Sequence, residues 1–214
     1  MKYSPEDRAA VRERYGLAPE DKVVAFVGNI VKVKNVLSLP EIFAQVAKGY
    51  DGPLKFWIIG DGKLRKPLEA TMDLSFRPND HSLSIRPNEV SGEISFFGNH
   101  PSPVMPEIMN CIEVLVLPSL NEGLPLVCAE ALSCGAAVVG SDVGGIAEGI
   151  GSENGVPLGS PSGDPSRPYD GSFVNGMAEK VVAALVGQSP FQTLPADISW
   201  ARTAALELSI LKSL

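Results

Sequence analysis

Glu122-Gly123-Leu124-Pro125-Leu126, with Glu130 following in Ala129-Glu130-Ala131, is the stretch on which the fold is decided. It sets two carboxylates eight positions apart around the start of one short helix. Pro125 suits a first helical turn, where its missing N–H costs nothing, and Gly135 suits the position just past the helix end. The preceding apolar run, Cys111 to Ser119, reads as a buried parallel strand. The unit is therefore strand, tight loop, helix, with free backbone N–H groups at the helix start. Such an end attracts anions, phosphates above all. A carboxylate at that mouth repels phosphate and suits sugar hydroxyls, or positive charge developing nearby.

Working outward, apolar runs that read as strands alternate with helical periodicity along the chain. Strands are predicted at 22–27, 54–59, 93–97, 113–117 and 136–140, with a sixth, edge strand at 155–158. Helices are predicted from about Ser4 to Tyr15, then over 35–48 (starting properly near Ser38, where Pro40 fits), 63–74 and 104–110, from Pro125, and over 172–186 and 199–211. The 172–186 helix is capped by Ser172 in this reading, and 75–91 is a loop or insertion. Alternation of this kind implies an α/β, doubly wound, mainly parallel six-stranded sheet with helices on both faces. Ligands on such sheets bind beyond the carboxyl ends of the strands. Gly28, Gly60, Gly98 and Pro118 each follow a strand directly.

Composition narrows the chemistry. Hydrophobic residues make up 44% of the chain, which supports a folded globule. The net charge of −7 argues against nucleic acid and broadly anionic membranes as partners. Cys111, Cys128 and Cys134 form no Cys-x-x-Cys pair and read as small apolar core residues in a reducing compartment. No apolar run approaches the roughly 20 residues of a membrane span. No apolar core follows the first charged residues, so the expected location is the cytoplasm. With two histidines, His81 and His100, and no close cysteine pair, no metal cluster is expected. Gly60-Asp61-Gly62 is an incomplete dinucleotide fingerprint, which discounts a nicotinamide enzyme.

Taken singly, Glu122 reads as a helix-dipole partner and Glu130 as an exposed helical glutamate. The whole string, Pro118-Ser119-x-x-Glu122-Gly123-x-Pro125-Leu126-x-x-x-Glu130-Ala131-x-x-x-Gly135, is far more specific. It resembles the signature of the retaining, nucleotide-sugar-dependent glycosyltransferases of the GT-B fold, the large family 4 of those enzymes. The resemblance runs from about residue 20 to about residue 158. It implies one Rossmann-like half of a GT-B enzyme, the donor-binding half.

By resemblance, Glu122 lies beside the donor sugar and Glu130 holds the ribose hydroxyls. Lys34 stands at the family's diphosphate-binding lysine, in the loop that opens with Gly28. Asn29 stands where the family carries an arginine, a departure that removes one cation. Gly60 lies under the donor site, and Asn99 lies in the loop near the nucleobase, which backbone groups hold. Ser119 and the helix start at Gly123, Leu124, Pro125 and Leu126 complete the donor site. Lys34 and Glu122 are the catalytic candidates. Gly144-Gly145 shapes a neighbouring loop. The donor implied is a nucleoside-diphosphate sugar, with no metal or other cofactor required.

The expected organisation is an N-terminal helix or linker over 1–20, the donor domain over 21–190 and a C-terminal loop and helix over 191–214. In the family an acceptor domain precedes this one, and only about twenty residues precede the first strand here. The chain reads as an excised domain, a truncated product or one subunit of a split enzyme, inactive alone, with any membrane contact made through the missing domain. A non-catalytic nucleotide-sugar-binding module and a GT-B-like nucleotide-sugar epimerase are the alternatives.

Overall fold

The computed structural model describes residues 5–72, 82–84, 92–101, 103–159 and 169–188. Seven strands form one sheet: β1 (Lys22–Val27), β2 (Leu54–Ile59), β3 (Ser82–Ser84), β4 (Glu93–Gly98), β5 (Val114–Leu117), β6 (Ala137–Ser141) and β7 (Gly155–Val156). Their order is β3-β4-β2-β1-β5-β6-β7. Among the described residues six strands run parallel, as expected, and β3 pairs antiparallel, on the outer edge of β4. The 75–91 stretch therefore contains a strand where the sequence suggested only loop. Three residues show no readable period, and the unpaired backbone groups of the β4 edge select them.

The sheet carries helices on both faces, and each strand divides its side chains between them. Val24 and Phe26 of β1, Phe56 and Ile58 of β2 and Val114 and Val116 of β5 pack into one core. Residues of α2 (Leu39–Gly49) and α7 (Gly171–Leu185) cover it, with Phe43 stacked on Phe56 at 4.4 Å between ring centroids. Val23, Ala25, Trp57, Ile59, Leu115 and Leu117 point the other way. They meet α1 (Pro5–Arg14), α4 (Met105–Cys111), α5 (Leu126–Ser133) and α6 (Ile146–Ile150). All four residues of β5 are buried, the pattern of a central parallel strand.

Several boundaries differ from the sequence reading. The helix with periodicity over 35–48, expected to start properly near Ser38, starts at Leu39, and two 3-10 turns, Lys32–Lys34 and Val36–Ser38, precede it. Asn35 between the turns has φ 50° and ψ 35°, a left-handed conformation that a helix cannot contain. α3 (Arg65–Thr71) is shorter than predicted at its start. Asp170, not Ser172, caps α7: its carboxylate accepts from the backbone N–H of Ser172 at 2.9 Å and of Phe173 at 3.4 Å. An aspartate here also complements the helix dipole, which serine does not. The helix expected over 199–211 lies outside the described residues.

α1 is tied to the sheet by a charge cluster. Arg12 is 7% exposed. It donates to the Cys111 carbonyl at 2.7 Å and to Glu113 at 2.8 Å, and also to the Asp21 carbonyl. Arg8 pairs with the same carboxylate, which also accepts from the Val23 N–H at 2.6 Å. Glu113 thus holds α1 against the amino ends of β1 and β5. Val11 and Leu17 are buried beside it.

Candidate functional site

The carboxyl ends of β1, β2, β4, β5 and β6 bring five loops together. Glycines allow them to approach at backbone distance. A Cβ on Gly60 would lie 2.0 Å from the Gly28 carbonyl oxygen, and one on Gly62 would lie 2.4 Å from that of Ile30. The loops are joined by backbone hydrogen bonds from Ile30 to Asp61 at 2.9 Å and from Gly60 to Gly98 at 2.8 Å. On the other side, a Cβ on Gly144 would lie 1.8 Å from the Glu122 carbonyl oxygen. Gly145 donates to the Gly123 carbonyl at 3.0 Å, and Leu120 donates to Val33 at 2.8 Å. The last bond fastens the Lys34 loop to the Glu122 loop.

At that junction Lys34 Nζ donates to Glu122 Oε1 in an ion pair. Ser119 Oγ donates to the same oxygen at 2.8 Å. The Ser119 residue is fully buried, the Glu122 side chain is 10% exposed and that of Lys34 24%. The left-handed Asn35 turns the chain sharply into the second 3-10 turn, and Ser38 Oγ donates to its carbonyl at 2.7 Å. That turn follows Lys34 directly. Cys128, the third residue of α5, feels the same charges. Burial and then the Glu122 charge push its thiol up to about 12, while Lys34 pulls it down. A thiol so raised is no nucleophile at neutral pH.

Pro125 stands at the N-cap position of α5, where it has no side-chain group to cap the helix, and no acidic side chain occupies the first turn. The helix start therefore presents free N–H groups on the Glu122 side. Leu124 and Leu126 are exposed there, and Val33 is exposed on the facing loop. Asn29 and Asn99 are exposed, Asn29 in the loop after β1 and Asn99 in the loop after β4. Glu130 is exposed on α5 and makes no side-chain hydrogen bond with a described residue. The structure thus joins Lys34, Ser119 and Glu122 directly, stacks Gly28 on Gly60, and leaves Glu130 facing solvent.

Two residues escaped the sequence reading. Asn35 holds the turn after Lys34; an asparagine followed by Ser38 is its only signal. Arg65, three residues past Gly62, stands at the same end of the sheet. It pairs with Glu69 at 2.9 Å and lies over the Phe96 ring at 5.7 Å. A Cβ on Gly98 would lie 3.3 Å from its guanidinium. A cavity of about 910 Å³ opens at the opposite end of the sheet, lined by Arg8, Arg12, Lys22 and Glu113. Its Glu113 carboxylate is already engaged by Arg8, Arg12 and the Val23 N–H. Among the described residues no three His, Cys, Asp or Glu side chains cluster to hold a metal. No described helix is long and apolar enough to cross a membrane.

A family profile described as "Glycosyl transferases group 1" matches residues 21–169. This chain belongs to the group 1 glycosyltransferases. Its curated relatives include a D-inositol 3-phosphate glycosyltransferase of Nocardia farcinica, 29% identical over 153 residues, covering 70% of this chain and 32% of that protein. An N-acetyl-alpha-D-glucosaminyl L-malate synthase of Bacillus anthracis is 27% identical over 148 residues, covering 69% and 34%. The chain spans about a third of the length of these relatives. Among solved structures, Anabaena Alr3699/HepE in complex with UDP and glucose superposes with a TM-score of 0.58. The match covers all of this chain and 54% of that one at 20% identity. The galactosyltransferase WaaB gives 0.60 over 92% of this chain and 50% of its own, at 18% identity. The group 1 chain described here therefore has the Rossmann-like architecture found within GT-B glycosyltransferases.

Proposed function

We propose that this chain is the donor-binding half of a retaining glycosyltransferase that moves a sugar from a nucleoside diphosphate to an acceptor such as a glycan or a lipid-linked saccharide. The observation that carries the reading is the meeting of Lys34 and Glu122, from two different loops, beside the uncapped start of α5. A cation and free helix N–H groups suit a diphosphate. A carboxylate next to them suits the sugar.

In the reaction the bond between the sugar C1 and the phosphate oxygen breaks, and a bond from C1 to the acceptor oxygen forms on the same face. The acceptor proton passes to the departing phosphate oxygen. Lys34 and the backbone N–H groups of Gly123, Leu124 and Leu126 stabilise the charge that grows on the diphosphate. Glu122 orients the sugar and favours its oxocarbenium-like state, and Glu130 takes the ribose hydroxyls. Gly28 and Gly60 let the donor approach the backbone, and Asn99 marks the nucleobase end. These positive groups make a metal unnecessary. The acceptor domain, in cis or as another subunit, closes the cleft, so this chain alone binds donor and transfers little.

Asn29 favours a second reading, a binding module without turnover, because it leaves one cation fewer beside the leaving group. Asn29→Arg within the two-domain protein separates the readings: a large gain in turnover identifies a weakened transferase. For the donor site itself, the test is calorimetric titration of this chain with UDP, GDP and ADP, with and without Mg²⁺. Saturable, metal-independent binding of one diphosphate, lost in Lys34→Ala and weakened in Glu130→Ala, is expected. Binding unaffected by Lys34→Ala would remove the basis of the proposal.

A further inference from the structure

The cation assigned to the diphosphate is already occupied. Lys34 Nζ is bonded to Glu122 Oε1, and Ser119 Oγ holds that same oxygen at 2.8 Å. The two loops that carry the pair are fastened by the Leu120 to Val33 backbone bond. The Glu122 main chain is packed against Gly144, so the carboxylate leaves the lysine by a side-chain rotation, not by a shift of its loop. The site is thus neutralised from within, and a diphosphate has to displace the carboxylate to reach the lysine.

From this geometry we infer that the Lys34–Glu122 pair is a latch that makes the site discriminate a nucleoside-diphosphate sugar from the bare nucleoside diphosphate. The inference rests on the donor-site reading proposed above. When a diphosphate takes Lys34, Glu122 loses its counter-ion and is left near a new negative charge. Its side chain is only 10% exposed, so water replaces the lost partner poorly. A sugar hydroxyl supplied by the intact donor gives the freed carboxylate a hydrogen-bond donor. The bare diphosphate supplies none. Glu122 therefore competes with the product for Lys34 but is satisfied in the presence of the donor. After transfer, the carboxylate recaptures the lysine and expels the diphosphate, a step that limits turnover in many enzymes.

The test is calorimetric titration of the folded chain with UDP, GDP and ADP and with their glucose esters, comparing wild type, Glu122→Gln, Glu122→Ala and Lys34→Ala. Glu122→Gln is expected to bind the preferred bare diphosphate at least about tenfold tighter than wild type, because removing the charge releases Lys34. Its preference for the glucose ester over the bare diphosphate is expected to shrink by a similar factor. Glu122→Ala should move both quantities in the same direction, which a residue of merely structural importance would not do. If both Glu122 variants bind the diphosphate no tighter than wild type while Lys34→Ala weakens it, the donor site stands and the latch is refuted. If the folded wild-type chain and its Glu122 variants bind none of the six ligands, the donor-site reading fails and the latch with it.

Discussion

Gly144→Ala isolates the interlock of the loops around Glu122. Gly144 has φ 52°, and a Cβ there would lie 1.8 Å from the Glu122 carbonyl oxygen and 2.9 Å from its carbon. The left-handed backbone alone costs a non-glycine residue about 1–2 kcal/mol. The clash is between a Cβ and main-chain atoms, so no rotamer relieves it. Real Cβ atoms essentially never come within 3.0 Å of such an atom. The loops must part by roughly 1.2 Å, and a misplacement of about 1 Å in a reacting site can cost on the order of 100-fold in rate. Parting also breaks the Gly145 to Gly123 hydrogen bond at 3.0 Å, worth about 1 kcal/mol. The expected loss of unfolding free energy is therefore about 2–3 kcal/mol. Gly123→Ala is the control: its Cβ meets nothing within 4 Å, and its φ is not positive. That change should stay within about 0.5 kcal/mol of wild type. Urea unfolding midpoints measure both, and nucleotide titration reports whether Glu122 has moved. Equal stability of the two variants would refute the reasoning, because it would mean that the loops do not hold one another.

Arg12→Ala is expected to destabilise the fold by about 3–5 kcal/mol, since it strips a buried guanidinium from Glu113 and two carbonyls. The exposed Arg14–Glu107 pair at 3.3 Å predicts a change under about 0.5 kcal/mol for Arg14→Ala in the same urea titration. Asn35→Gly should match or exceed wild-type stability, because it suits φ 50° and removes the buried, unpartnered Nδ2. Asn35→Ala at the same position should lose about 1–2 kcal/mol by thermal or urea unfolding. Burial raises all three thiols, Cys111 to about 11 and Cys128 to about 12, with Cys134 in the same direction. The unfolded chain then releases thiol protons from about pH 9 that the folded chain keeps. This contribution to stability is complete below pH 9 and falls away towards pH 11–12; thiolate absorbance of the native and urea-unfolded protein across that window checks it.

The parallel architecture was legible because it rests on pattern. Val23 to Phe26 and Val114 to Leu117 are apolar on both faces, and glycines stand where the strands end. The cap of α7 was misread because Asp170 and Ser172 are both good caps, and only the path of the chain decides which carries the load. β3 was invisible because its pairing is dictated by β4, not by Ser82, Leu83 and Ser84 themselves. Within the site, the types of residue were readable and their partners were not. Lys34 and Glu122 are 88 positions apart, and only tertiary structure shows them bonded to one another. The turn at Asn35 likewise has no pattern of its own, since a single left-handed residue leaves no period.

The glycine contacts that join the loops beyond β1, β2, β4, β5 and β6 have a consequence for engineering. The loops after β1 and β2, and those after β5 and β6, meet glycine to carbonyl, so none of these four is an independent part that can be exchanged. A chimera that imports a single loop brings a backbone fitted to absent neighbours. The Gly28–Gly60 and Glu122–Gly144 contacts instead define two pairs, joined to one another by the Leu120–Val33 bond. Libraries that vary each pair together should yield folded variants at a higher rate than libraries that vary one loop at a time.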